Sequence, residues 1–354
     1  MEPIIPQTDK ELIKAELTPS RKLRDTNKSG NEIYIFNGND CPALLREVGR
    51  LREISFRTEG GGSGLSCDLD AFDTMEKPYW QLIVWDPDAE AILGGYRYIF
   101  GSDIQLDDKG QPLLATSHMF NFSEEFIKDY LPYTIELGRS FVVPEYQSSK
   151  AGTKALFALD NLWDGLAALM LIKPDMRYYF GKMTMYPSFD RHGRDLILYF
   201  LDKHFGDEKK LVTPYKPIQI VDSGDILNED SFKGDYSILN ARVRSLGFNI
   251  PPLFNSYMKL SSTMKVFGTA VNDEFSDVEE TAILINFDEM YEDRIARHVG
   301  SFIKWKLRVM RLRFPRMMWL QRDEIEKKFF ERLRKRRSKA GVRSRSITTM
   351  LEIK

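Results

Sequence analysis

A carboxylate and a guanidinium stand three residues apart in the apolar stretch that opens TIELGRSFVVPEYQ, at Glu136 and Arg139. Burying an unpaired charge is costly, so this pattern marks either a structural ion pair or a reaction centre. A carboxylate part-buried in an apolar strand has a raised pKa and suits a general base. The structural reading is that Glu136 pairs with a buried arginine, Arg97 or Arg139, and the two readings can hold together. Strand side chains alternate faces, so an interval of three sets the two charges on opposite faces unless a bulge re-aims one.

Other chemistries find less support. His118, His192, His204 and His298 show no metal spacing, and no metal site or Ser-His-Asp order is expected. Cys41 and Cys67 do not make a disulfide framework, which points to a reducing cytosol. Gly60–Gly64 lacks the Gly-Lys-Ser/Thr ending of a phosphate loop and reads as a flexible loop.

The elements that must position these groups follow from periodicity. Helical spacing predicts helices near Lys10–Leu17, over Pro42–Phe56, near Glu124–Tyr130, over Thr153–Ile172, Asp190–His204 and Ile250–Met264. Strands are predicted at Asn31–Phe36, Tyr79–Trp85, Ala91–Phe100, Ile135–Val143, Tyr178–Met185 and Thr281–Phe287. Residues 1–30 read as polar and loose, and 206–240 as loop-rich. Alternating strands and helices argue for an α/β domain.

The net charge of −1 hides an asymmetry. Residues 301–345 hold 17 Lys/Arg against 4 Asp/Glu, while the first 300 residues hold 33 basic and 47 acidic groups. A tail this basic seeks a polyanion: phospholipid, nucleic acid or an acidic protein. Ser301–Phe314 alternates apolar and basic residues, and Asp323–Arg337 sets Ile325, Phe329, Phe330 and Leu333 on one helical face. Basic amphipathic segments lie in membrane interfaces, so contact with an anionic surface through 303–345 is expected. No nucleic-acid module accompanies the charge, and none is expected to bind. No apolar run approaches the roughly 20 residues that span a bilayer. The expected location is therefore cytoplasmic, on the inner face of the cytoplasmic membrane.

Five short motifs, in order, carry a family resemblance. Arg52 and Phe56 stand as R-x-x-x-F, Asp70 and Asp73 as D-x-x-D, Gly94, Gly95 and Arg97 as G-G-x-R, and Glu136 and Arg139 as E-L-x-R. The fifth, Gln147 to Gly152, resembles a phosphate loop with Lys150 at its middle glycine. With the strand order, these resemble the GNAT superfamily over Ile33–Phe302. Within it they resemble the acyl-carrier-dependent branch of acyl-homoserine lactone synthases and lyso-ornithine lipid N-acyltransferases. The stretches KALFALDNLWDGLAALM, RYYFGKMTM and RVRSLGFNIPPLFNSYMKLSSTMKVFG are most similar to the glycine N-acyltransferases of bacterial glycine-lipid synthesis. Gly60–Gly62 stand where the lactone synthases carry a Trp.

The resemblance implies a mostly antiparallel central sheet flanked by helices. It divides the chain into a polar segment 1–30, an acyltransferase domain 31–302 and a basic extension 303–354. It implies transfer of a 3-hydroxyacyl group from acyl carrier protein to an amino acid α-amine, glycine before ornithine. Rival readings are a lactone synthase and a non-catalytic acyl-binding protein at the membrane. No permanently bound cofactor is implied; the donor is the carrier's acyl-phosphopantetheine. Glu136 is the expected base, with Arg139 beside it and a backbone N–H of Phe141 or Val142 as oxyanion donor. Asp70 and Asp73 either receive the substrate ammonium or cap a turn. Arg52 and Arg97 either bind its carboxylate or brace those aspartates, and Phe56 is either substrate wall or core. Gln147, Lys150 and Gly152 are expected to meet the carrier's phosphate. Trp80, Phe141, Phe157, Trp163 and Phe180 are either acyl-tunnel lining or core.

Overall fold

The structure is a computed structural model that describes residues 1–147, 152–313 and 322–339. Ten strands are described: β1 (Lys22–Asp25), β2 (Glu32–Asn37), β3 (Trp80–Asp86), β4 (Ala91–Phe100), β5 (Phe120–Phe122), β6 (Thr134–Val142), β7 (Tyr178–Met185), β8 (Val212–Pro214), β9 (Lys265–Asn272) and β10 (Val278–Asn286). The helices are α1 (Lys10–Glu16), α2 (Pro42–Thr58), α3 (Ala71–Thr74), α4 (Gly152–Ile172), α5 (Arg191–Phe205), α6 (Phe232–Ser245), α7 (Pro252–Met258), α8 (Glu292–Arg313) and α9 (Arg322–Lys339). Eight strands form one mixed, mostly antiparallel sheet, and β5 pairs with β8. This is the GNAT-like α/β fold that the resemblance implied.

The chain divides into two compact units, and the division falls inside β6 between Glu136 and Leu137. The first unit holds β1 to β4 as an antiparallel series, the Leu137–Val142 part of β6, and helices α1 to α4, α8 and α9. Its core is apolar: Leu44, Val48, Leu82, Ile83, Leu166 and Leu169 are each at most 1% exposed. Each such side chain stabilises the fold by roughly 1.5–3 kcal/mol.

The first sixteen residues are tied down rather than loose. The Glu16 carboxylate accepts from the N–H groups of Ala43 and Leu44 at 3.1 and 2.7 Å, so it caps α2, whose own N-cap residue, Cys41, makes no side-chain cap. The Thr8 N–H donates to Glu47 at 2.9 Å, and the Ile5 N–H to the Ser66 carbonyl. The Gly60–Gly64 loop is also held. The buried Glu53 carboxylate accepts from the N–H groups of Ser63 and Gly64, groups that a phosphate loop would turn toward a ligand.

The basic C-terminal stretch begins inside the fold. α8 starts at Glu292, passes residue 303 without a break, and packs on α4 and β1. Its apolar stripe, Ile295, Val299, Phe302, Ile303 and Leu307, is 0–8% exposed. That burial removes this face from any membrane. α9 is tied to α8 by Arg334 and Arg337 pairing with Glu292. Phe314 and residues 340–354 lie outside the described residues.

The second unit holds Thr134–Glu136 of β6 with β7, β10 and β9, together with β5, β8, α5, α6 and α7. β6 and β7 pair in parallel through Thr134↔Tyr178, Ile135↔Tyr179 and Glu136↔Phe180. β7 then continues to Met185, paired throughout with β10. Rings of Phe122, Phe126, Phe180 and Phe267 pack together with centroids 5.3–6.3 Å apart.

Several elements differ from the sequence expectation. β1, α3, β5, β8, α6 and β9 fall where no regular element is predicted, and the helix expected over Ile250–Met264 is confined to Pro252–Met258. The segment near Glu124–Tyr130 is helical as a single π turn, Phe126–Tyr130.

Candidate active site

Three arginines and three aspartates meet inside the first unit. α2 supplies Arg52, β4 supplies Arg97 and β6 supplies Arg139. The acids come from the segment before β3, at Asp68, Asp70 and Asp73. Arg52 Nη1 donates to both Asp73 oxygens at 3.2 and 3.3 Å, and its Nη2 donates to Gln81 of β3. Gln81 Nε2 returns a bond to Asp73 at 2.9 Å. Arg97 Nη1 reaches Asp70 at 2.7 Å and Asp73 at 3.1 Å, with its guanidinium 5.0 Å from the Tyr79 ring centroid. Arg139 lies 3.1 Å from Asp68 and 3.7 Å from Asp70.

The network is charge-balanced and almost dry. Arg52, Asp68, Asp73 and Arg97 are 0–2% exposed, while the Asp70 side chain keeps 32% exposure. Burial alone would raise the Asp73 carboxyl, but the guanidinium groups of Arg52 and Arg97 overcome it and hold it well below the usual range. Burial dominates at Asp68 and pushes it up against the pull of Arg139, Arg52 and Arg97. Burial would likewise lower Arg97; Asp73 and Asp70 outweigh it and raise its pKa.

Asp70 and Asp73 also form a capping box on α3: Asp70 Oδ1 accepts from the Phe72 N–H, and Asp73 Oδ2 from the Asp70 N–H. Both structural alternatives raised from the sequence are therefore present, with the arginines bracing acids that cap a turn. Phe56 is 7% exposed on α2 and belongs to the core. Trp163, Phe141 and Phe180 are buried at 9%, 4% and 1%, while Trp80 and Phe157 are part-exposed.

Close backbone approach explains the paired glycines of β4. A Cβ on Gly94 would meet the Phe141 carbonyl oxygen at 2.5 Å, and one on Gly95 the Leu82 carbonyl at 2.6 Å. The β3–β4 register shifts between Val84 and Trp85, which leaves Leu93 as an extra residue. The Leu93 carbonyl accepts from the Val143 N–H at 2.9 Å. β6 is itself irregular: Arg139 has φ +48°, in the left-handed region, next to Gly138. Face alternation therefore does not carry through from Glu136 to Arg139.

Glu136 is 1% exposed and stands opposite Phe180 in the last rung of the β6–β7 ladder. Downstream, Gln147 Nε2 donates to the Val142 carbonyl at 2.6 Å, and Gly152 opens α4. Lys150 lies outside the described residues.

Sequence reasoning missed Asp68 and Gln81. Gln81 had a signal, a lone amide within the apolar run YWQLIVW. Asp68 had only its place two residues before Asp70. Among the described residues no group of three or more His, Cys, Asp or Glu could hold a metal ion, and no helix is long and apolar enough to cross a membrane.

Comparison with known proteins identifies relatives of the chain. An acetyltransferase (GNAT) domain matches residues 51–156, which carry Arg52, Asp70, Asp73, Arg97, Glu136 and Arg139. A glycine N(alpha)-acyltransferase of Phocaeicola vulgatus is 60% identical over 316 residues, covering 88% of this chain and 97% of that protein. One from Bacteroides thetaiotaomicron is 61% identical over 308 residues, covering 86% of this chain and 91% of that protein. Among solved structures, the CoA-dependent acyl-homoserine lactone synthase BjaI is 11% identical with a TM-score of 0.35, covering 77% of this chain and 90% of that chain. That score is too low to carry an argument.

Proposed function

The chain belongs to the family of glycine N(alpha)-acyltransferases, and from that premise we propose that it acylates the α-amine of glycine with a 3-hydroxy fatty acyl group held on acyl carrier protein, as a step of glycine-lipid synthesis. The observation that carries the chemistry is Glu136, a glutamate 1% exposed at the last β6–β7 rung. Aminolysis of a thioester needs a neutral amine. Its nitrogen attacks the thioester carbon, a C–N bond forms, and the carbonyl oxygen gains charge. Glu136 takes the amine proton, directly or through one water. The C–S bond then breaks and the phosphopantetheine thiolate leaves.

The oxyanion needs N–H donors in place beforehand. The Val143 N–H is spent on Leu93, so the N–H of Phe141 or Val142 takes that part. Arg52, Arg97 and Arg139 hold the acid turn around α3 in shape. Asp70, the part-exposed acid, is the member placed to meet an incoming ammonium. Gln147, Lys150 and Gly152 meet the carrier's phosphate; N–H groups of a helix start and one ammonium suit a single anion.

No permanently bound cofactor is invoked. The protein works in the cytoplasm. Its contact with an anionic membrane runs through the basic side chains of 303–345, since the apolar stripe of α8 is buried. The same positive charge suits an acidic carrier.

Purified full-length protein is to be mixed with 3-hydroxyacyl carrier protein, or with the matching acyl-CoA, and single amino acids, with products read by mass spectrometry. N-acylglycine formed from the carrier thioester is expected. Preference for ornithine would turn the assignment to lyso-ornithine lipid, and product from acyl-CoA alone would remove the carrier. No product with any amino acid would sink the catalytic reading.

A further inference from the structure

Glycine offers an enzyme little to hold besides its amine and its carboxylate. A site that prefers it to a simple amine needs a cation for that carboxylate. The guanidinium groups of Arg52 and Arg97 are turned onto internal acids. A different cation stands in the second unit, on the same sheet face as Glu136.

Strand register places it there. Glu136 is paired with Phe180, and paired residues share a face. Lys182 is two residues further along β7 and so points to that face as well. On β10, Thr184 is opposite Glu280 and Lys182 is opposite Ala282. On β9, Asn272 is opposite Val278, two residues from Glu280. One face therefore carries Glu136, Lys182, Glu280 and Asn272.

These groups are connected. Lys182 pairs with Glu280, their side chains 13% and 4% exposed. Asn272 Nδ2 donates to Glu280 Oε1 at 3.2 Å. The Asn272 oxygen is thereby left as acceptor for His118 Nε2, also at 3.2 Å. Among the described residues the Lys182 ammonium has Glu280 as its one partner, and an ammonium carries three donors. Such a pair adds little net stability compared with apolar packing. It does hold a charged donor rigidly beside the rung where β6 pairing ends.

The backbone spacing allows a shared small ligand. Two residues of strand rise and one interstrand step put the Cα atoms of Glu136 and Lys182 about 8 Å apart on one face. We infer that Lys182, oriented by Glu280 through the Asn272–His118 chain, binds the carboxylate of the acceptor amino acid and sets its amine toward Glu136. The assignment rests on the N-acyltransferase reading above and names its acceptor-specificity residue.

The experiment uses the full chain and compares glycine with glycinamide, which keeps the amine and loses the charge. Lys182→Met should raise the glycine KM about 10- to 100-fold, the worth of one charge-assisted hydrogen bond. The KM for the acyl donor should not move. The preference for glycine over glycinamide should collapse, and Lys182→Arg should recover part of it. Removing one partner can strand the other in the interior, so Lys182→Met/Glu280→Leu is made in parallel. It takes away both charges and should show the same loss of preference. An unchanged glycine-to-glycinamide ratio in either folded variant overturns the assignment and leaves the N-acyltransferase reading standing. Failure of both variants to fold also overturns it, since the pair is then structural. Inactivity of the wild-type enzyme toward every amino acid defeats the functional reading, and this one with it.

Discussion

The two units treat their buried charges differently. In the first, Arg52, Arg97 and Arg139 lie against Asp68, Asp70 and Asp73, three positive groups against three negative ones. In the second, Lys182 faces Glu280 with donors in hand, and Glu136 stands at a rung beyond which the partner strand runs on. A shared network fixes shape: every charge in it faces an opposite one, and the set resists change. The Lys182 ammonium keeps donors for a molecule that arrives later. The contrast teaches that the number of buried charges says less about function than how they are shared, among six groups in one unit and within a single pair in the other.

The contrast breaks most sharply at Glu136. Glu136→Gln should lower kcat/KM about 100- to 10,000-fold, the range of a lost general base, while the urea midpoint moves little. Steady-state rates and denaturation on one preparation check both halves, and equal damage to each would class Glu136 with the shared network. Arg52→Met should do the reverse. It takes one buried partner from Asp73 and one from Gln81, at a cost of about 3–5 kcal/mol in unfolding free energy, and activity should fall only as far as the folded fraction does.

Gly94→Ala tests the frame that carries both. Its Cβ would meet the Phe141 oxygen at 2.5 Å, so overpacking of about 1–3 kcal/mol is expected. Activity should suffer beyond the stability loss, because the displaced strand holds the oxyanion donors.

Acid titration sharpens the comparison within the first unit. Asp73 has a folded-state pKa below its unfolded value, so its stabilisation is complete above the ordinary carboxylate range near 4 and is lost as pH falls below it. Asp68 has the opposite sign: its folded pKa is raised, so its favourable contribution belongs to low pH and fades as pH climbs through that range. The destabilisation caused by Asp73→Asn should therefore shrink between pH 7 and pH 3. That caused by Asp68→Asn should not, and urea melts at each pH decide it. The smallest effect is expected at Glu16→Ala, which uncaps α2 at a cost of about 1 kcal/mol, read as a shift in thermal midpoint.

Local patterns made much of the frame legible. The β3–β4 hairpin, α2, α4, β7 and α5 all followed from periodicity and turn residues, because each buries a continuous stripe. β9 escaped because Gly268, at φ +92°, and a register shift opposite it interrupt its alternation. α6 escaped because it buries only Asp235, Leu239 and Val243, a stripe one side chain wide. Four-residue β1 has too little sequence to show a period and exists through its pairing with β2.

The site divided along the same line. Residue types in the motifs gave Arg52, Asp70, Asp73, Arg97 and Arg139. Which group would hold which depended on contacts between segments 21 to 71 residues apart, and that distance carries no local signal. The Lys182–Glu280 pair, from strands almost a hundred residues apart in the chain, was visible only through register.

Glu16 has a practical consequence. Its two oxygens grip the start of the helix that delivers Arg52. A shortened version that begins at the first long strand would discard a clasp along with what resembles a dispensable leader. Such trimming would loosen the arginine-bearing helix from its far end, and low solubility of trimmed protein would be a folding fault written into the opening residues.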